Sequence, residues 1–397
     1  MRFEARVNRL ALLQACALAA VVAAAPASSA TRTWTGGGGD DNWTTAANWG
    51  GTAPSGGDDL VFPGGAARLT NSNDFSAGTE FNSISFDGSS GGYQLNGNSI
   101  QLAAGISATN TAGTNYVSVN IQLLESQAFS CSTGSPDYLG IFGTVDLGSY
   151  TLTLLASPNC IIQAFGAISG TGGVTASGVG GSPLGVVHIS GACTYSGPTS
   201  VVGNCNLAAD NLGAASLVTV TSGSILQGAN GSSVGPVVIN PGGTIMCGGG
   251  VTQIGNVTSL TLMSGSIYWV DLYSLSDHGR FNASGAVDLG SSTLKLVWSF
   301  TSSLGDQFLI LNKTSPGPVT GTFVGLPEGS RFPSNGRIYQ ISYVAGDGND
   351  VVITDVTDGE IPALGPTGAL LLLVMLGAVG VLSLRNRLSG RGERFSG

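Results

Sequence analysis

Four apolar positions, Val201, Val220, Ile239 and Leu262, recur in the segments SVVGNCNL, TVTSGSIL, VINPGGTI and TLMSGSIY. The steps between them are 19, 19 and 23 residues, and a second column, Leu207, Leu226, Ile245 and Tyr268, keeps the same phase. Turn residues such as Gly223, Gly242 and Gly265 separate the two columns. An internal period of about 20 residues, built from short strands and tight turns, points to a solenoid and away from a sandwich. In a parallel β-helix each coil stacks its apolar side chains on those of the coil below, so one narrow core runs the length of the molecule. Thr, Ser and Asn then fill the outer face.

The same elements occur elsewhere with a looser period. YQLNGNSIQL (93–102), GTVDLGSYTLTLL (143–155) and STLKLVWSF (292–300) read as strands and glycine turns, and Leu294, Leu296, Trp298 and Phe300 share one strand face. No segment between the termini carries an apolar stripe at helical spacing. Glycine is 63 of 397 residues, about twice the ordinary share. Disorder is the other reading of such a composition, but it goes with high charge and few β-branched residues, the opposite of this chain. The sequence predicts an all-β protein, a right-handed parallel β-helix.

The two ends are of another kind. Residues 1–30 carry Arg2, Arg6 and Arg9, then an apolar run from Leu10 to Ala25, then Ala27-Ser28-Ser29-Ala30. That is the layout of a secretory signal peptide with cleavage after Ala30. From Ile361 to Leu384 there are 24 residues without a charge, enough for a helix to cross the ~30 Å hydrocarbon layer. Arg385, Arg387, Arg391 and Arg394 follow, whereas Asp355, Asp358 and Glu360 precede, so the positive-inside rule places the bulk of the protein outward.

The exported part, 31–360, carries seven Lys and Arg against 21 Asp and Glu, a net charge of −14, and no Lys or Arg falls between Arg68 and Arg280. Phosphate backbones are held by clustered Lys and Arg, so nucleic acid is excluded as a partner. Anionic polysaccharides are repelled for the same reason unless calcium bridges them.

The tail, Ile361-Pro362-Ala363-Leu364 through Gly368, with its apolar helix and the cluster at Arg385 and Arg387, resembles the C-terminal exosortase-type sorting signal of Gram-negative bacteria that begins Ile-Pro-Thr-Leu. Ala363 stands where that family has threonine, and Thr367 where it often has tryptophan. The resemblance implies a stop in the inner membrane, trimming by a sorting protease, and delivery to the cell surface by the export machinery. A second resemblance lies at 188–207, where Ile189, Ser190, Gly191, Thr194, Tyr195, Gly197, Thr199 and Val201 match the passenger-associated strand repeat of autotransporter-type surface proteins. GDQFLILN, GTFVGLPEGSRF and YQISYVAGDGNDVVIT, within 305–354, resemble the module that closes such passengers. An autotransporter ends in a β-barrel of about 250 residues; here the sorting tail takes that place. The expected order is a signal peptide (1–30), a Trp/Gly-rich capping segment (31–90), solenoid repeats (91–300), a β module (301–360) and the tail (361–397).

Three of the five tryptophans, Trp34, Trp43 and Trp49, crowd the start in TWTGGGGDDNWTTAANWG, a stretch that resembles the opening segment of these repeats. Two readings stand. The open end of a β-helix is a cut core with unpaired edges, and three indoles in a glycine-rich wrap cover it. Alternatively, exposed Trp faces bordered by Asp and Asn form a stacking surface for glycans.

Catalytic patterns are sparse. His188 and His278 are the only histidines; Asp277-His278 near Asp271 suggests an acid–base site, but no Gly-x-Ser-x-Gly nucleophile accompanies it. Gly346-Asp347-Gly348-Asn349-Asp350 resembles one unit of a calcium turn, and one copy offers too few oxygens, so a plain hairpin turn is expected. Five cysteines follow the leader, without a Cys-x-x-Cys pair, and Cys193 with Cys205 is the expected bridge. No metal or cofactor is indicated. Two functions remain: a non-catalytic surface solenoid acting as an adhesin or an envelope or matrix component, or a secreted β-helix lyase or hydrolase acting on polysaccharide.

Overall fold

A computed structural model describes residues 29–132, 138–212, 216–247 and 254–357. The chain winds as an all-β, right-handed parallel solenoid. Each coil has three sides, here called A, B and C in the order the chain visits them. The first full coil places Asp59–Pro63 on side A, Thr70–Asn73 on side B and the beginning of Thr79–Asp87 on side C. The latter strand then bends back onto side A, where Ser83 to Asp87 pair in parallel with Asp59 to Pro63.

Side A carries an unbroken inner row. Leu60, Ile84, Ile106, Phe129, Leu154, Ala176, Val201, Val220, Ile239 and Leu262 are register partners in succession. The four positions of the sequence repeat are thus the far end of this row. On side B, Leu207, Leu226, Ile245 and Tyr268 are likewise successive partners. All of these side chains are buried, so every coil continues the core of its neighbours. At about 25 cal/mol per Å² of apolar surface, this stacking supplies most of the fold's favourable free energy.

The outer rows are polar or small on side A, as in the partners Thr153, Thr175, Ser200 and Thr219. Side C near the far end carries an amide ladder. Asn312 Nδ2 donates to Asn282 Oδ1 (3.1 Å), and Asn282 Nδ2 donates to Asn256 Oδ1 (3.0 Å). Such ladders satisfy each amide from the next coil. Between sides A and B the turn glycines Gly223, Gly242 and Gly265 adopt φ of 76°, 77° and 82°, a left-handed conformation that only glycine enters without strain.

Both ends are closed. At the first end, Thr31–Thr33 pairs in parallel with Asp59–Pro63, so coil pairing begins within the capping segment. These first strands escape the apolar pattern because Thr31–Thr33 and Thr70–Asn73 contain no large apolar side chain. At the second end, Gln307–Lys313 still pairs in parallel with Arg280–Ala283, but pairs antiparallel with Asp350–Asp355. Arg337–Ala345 and Arg331–Ser334 extend the antiparallel sheet and end coil stacking.

Within this closing sheet Asp355 is fully buried. Burial alone raises its carboxyl pKa, but Arg337 Nε at 2.7 Å, Ser302 and the Thr357 backbone N–H override it and hold the group well below 3.8. Among the described residues no helix is long and apolar enough to cross a membrane. The expected tail lies outside the described residues, as does the leader apart from Ser29 and Ala30.

Candidate functional site

The tryptophans occupy the first end of the core. Trp34 and Trp43 are fully buried and Trp49 is 5 % exposed. Trp34 Nε1 donates to Arg68 O (2.8 Å), Trp43 Nε1 to Asn71 Oδ1 (2.7 Å) and Trp49 Nε1 to Trp43 O (2.8 Å). Their rings meet edge to face, at 5.1 Å for Trp34 and Trp49 and 6.3 Å for Trp43 and Trp49. Trp43 also sits 5.9 Å from Phe62 and 5.7 Å from Phe81. The wrap is held by Asn48, which donates to Asn42 O and accepts from the Gly38 backbone N–H. A Cβ on Gly38 would lie 2.5 Å from Asn48 Oδ1, so a side chain there would displace the amide that holds the wrap. With every indole covered and every N–H satisfied, no ring face is left for a sugar. The stacking expectation for Trp34, Trp43 and Trp49 is therefore corrected.

The expected bridge is also absent. Cys193 and Cys205 are buried free thiols. Cys193 bridges to Ile168 on side C, whereas Cys205 starts the side B strand Cys205–Asn211. Twelve residues of sequence separation carry the chain round a corner, so nearness in sequence does not bring the two sulfurs together. Burial pushes their pKa values up to about 11 and about 12, away from thiolate chemistry.

The bridge between Leu272 and His278 brings His278 next to Asp271, and each of the two has a further partner. Asp271 Oδ1 accepts the Trp269 indole N–H at 2.6 Å, while Lys295 Nζ lies 3.2 Å from the Trp269 ring centroid. His278 is half-buried, with Nδ1 3.1 Å from Leu275 O and its ring edge-on to Phe308 at 5.6 Å. Desolvation lowers its pKa below the ordinary 6.5. The unfolded chain then binds a proton at higher pH than the folded one, so stability is complete above pH 6.5 and falls as the pH drops from there to the depressed value. The urea midpoint is expected to be lower at pH 5 than at pH 7.5, and His278→Gln to reduce that difference. Asp355 does not contribute in this window, since its carboxyl stays ionised down to below pH 3.8.

The segment 346–349 is the turn joining Arg337–Ala345 to Asp350–Asp355, and Asp350 Oδ1 accepts the Lys313 backbone N–H at 2.9 Å. Among the described residues no group of three or more His, Cys, Asp or Glu is placed to hold a metal ion.

The feature that sequence reasoning missed lies on the outside of side B. The chain leaves this side through three related triplets, Ile141-Phe142-Gly143, Ala164-Phe165-Gly166 and Ile189-Ser190-Gly191. Their first residues are register partners, so the second residues stack one above another. Backbone bonds fix the positions: Phe142 N–H to Val117 O, Phe165 N–H to Ile141 O and Ser190 N–H to Ala164 O. The glycines are forced by the corner, because a Cβ on Gly166 would lie 2.0 Å from Gly143 O, and one on Gly191 2.0 Å from Gly166 O.

Phe142 and Phe165 are consequently stacked in the open, with centroids 4.2 Å apart and planes 18° from parallel. Tyr116 meets Phe142 edge-on at 5.4 Å. Phe142 is 44 % exposed and Phe165 36 %. Next to them runs a polar chain on the same face. Gln163 Nε2 donates to His188 Nδ1 (3.2 Å), which directs His188 Nε2 toward Asp210 at 3.5 Å. The repeat spacing of the two Phe-Gly pairs, 23 residues, was the available signal, and the varying residue at the middle position concealed it.

No protein-family model matches the sequence, and no curated protein matches it. The functional reading therefore rests on the geometry.

Proposed function

We propose that the protein is exported and displayed at the cell surface as a non-catalytic β-solenoid, an adhesin-like molecule or a component of the envelope or extracellular matrix. The observation that carries this reading is the structural use of the motif at 188–207. Val201 belongs to the inner row of side A, and Gly191 and Gly197 stand where a Cβ would meet the preceding coil's backbone at 2.0 Å and 2.3 Å. The buried Tyr195 hydroxyl lies 2.7 Å from Thr199 Oγ1, which lies 2.8 Å from Ser216 Oγ. Those matched positions shape and stack coils, which is the work of a passenger-type repeat. The antiparallel closing sheet at the far end supports the same relationship.

The leader at 1–30 and the tail at 361–397 supply export, insertion of the tail in the inner membrane, and trimming by an exosortase-type protease at the segment Ile361 to Gly368. The competing polysaccharide lyase or hydrolase draws on the shared architecture alone. Protease shaving of intact cells tests display: the full chain should be degraded from outside and its abundance at the surface should fall when Arg385 and Arg387 are replaced by Glu. A chain that stays protected in intact cells contradicts the proposal.

A further inference from the structure

We infer that the outer face of side B carries a binding site for a pyranose ring of a neutral polysaccharide, between Phe165 and Asp210. This deepens the reading of the protein as a surface scaffold, and rests on it for the polymer's accessibility. The aromatic column ends at Phe165, because the next coil offers Ser190 at the equivalent place and the one after offers Asp210. One face of the Phe165 ring is covered by Phe142. The other lies on the side of the coil that carries Ser190, with Asp210 at the equivalent place one coil further on.

Parallel strands are spaced about 4.8 Å apart, so two coils separate the Phe165 and Asp210 positions by roughly 9–10 Å. The notch admits one saturated ring stacked on the aromatic face, with its hydroxyl edge within reach of the far wall. That wall and floor offer complementary groups: Asp210 accepts, the Gln163 amide donates and accepts, and Ser190 Oγ accepts while its own hydrogen goes to Ala164 O at 3.4 Å. His188 ties Gln163 to Asp210 at 3.2 Å and 3.5 Å, which limits the freedom of both before a ligand arrives. An apolar platform beside fixed hydrogen-bonding groups matches a sugar, which has an apolar C–H face and a rim of hydroxyls.

Charge selects the class of polymer. No Lys or Arg occurs between Arg68 and Arg280, and Asp210 stands at the notch itself, so uronic or sulfated chains meet repulsion without compensation. A flat aromatic partner or a second copy of this chain would use Phe142 and Phe165 but would have no need of Asp210.

The test passes the full chain in mild detergent over immobilised cellulose, chitin and mannan, with alginate as the anionic control. Retention is expected on at least one neutral polymer and not on alginate, with at least a tenfold loss for both Phe165→Ala and Asp210→Asn. Because Phe165 is exposed, the urea midpoint of each variant should match the parent, which separates a lost site from a lost fold. Unchanged retention in either variant, or none on any neutral polymer, overturns the site while leaving the scaffold reading intact. Self-association abolished by Phe165→Ala but not by Asp210→Asn overturns it in favour of an interface between copies.

Discussion

Replacing Trp43 by Ala is expected to destabilise the protein by about 3–5 kcal/mol, the usual range for emptying a buried aromatic site. The indole fills the first end of the core against Trp49, Phe62 and Phe81, and its N–H is the donor to Asn71 Oδ1. Removal leaves both a cavity and an acceptor without this donor. Trp43→Phe retains most of the apolar contact and should cost about 1–3 kcal/mol, mainly through the lost hydrogen bond. Urea unfolding monitored by circular dichroism measures both. Uncovering the first strands should also make Trp43→Ala prone to association, since the cap covers an edge that pairs readily. Sugar retention, measured on the fraction that folds, should be unaffected; this separates the cap from a glycan platform.

A single methyl group at Gly166 should be nearly as damaging. Its Cβ would fall 2.0 Å from the Gly143 carbonyl oxygen, an atom held in the backbone of the adjacent coil and unable to rotate away. The coils must separate locally, and the carbonyl of Gly166 itself lies against Gly191, so the disturbance spreads in both directions. Gly166→Ala is expected to cost about 3 kcal/mol, the upper part of the range for overpacking. By contrast Gly39→Ala, where a Cβ meets nothing within 4 Å, should leave the urea midpoint nearly unchanged. Equal effects of the two substitutions would contradict the register of the corner.

The solenoid was legible in the sequence only where the coil length was nearly constant. Val201, Val220, Ile239 and Leu262 announce themselves because two successive coils have 19 residues, with matching turns. Upstream, the same inner row passes through Leu60, Ile84, Ile106, Phe129, Leu154 and Ala176 at steps of 22 to 25 residues. Corners absorb the extra residues without disturbing the stacked side chains, so the period blurs while the core remains in register. The first coils were further disguised by polar inward positions such as Asn71 and Asn73, which are buried through hydrogen bonds.

The candidate sites were less legible because composition does not reveal orientation. Tryptophans beside Asp and Asn suit a sugar surface or a core plug equally well, and only the positions of Phe62 and Phe81 under the rings decide it. Phe142 and Phe165 had the reverse problem: phenylalanine next to Ile and Ala reads as core, yet one step past the inward residue the side chain turns outward. His188 gained a place only when parallel register put Gln163 on one side of it and Ala208, with Asp210 two residues on, on the other.

The reading of this molecule as a non-catalytic scaffold is most directly tested by incubating the full chain with the same neutral and anionic polysaccharides, with and without calcium. New reducing ends and the ultraviolet absorbance of unsaturated sugar products are then followed over time. The account predicts that neither signal rises above that of a heat-denatured control, even on a polymer that retains the protein. Sustained production of chain ends would contradict it and make the solenoid an enzyme.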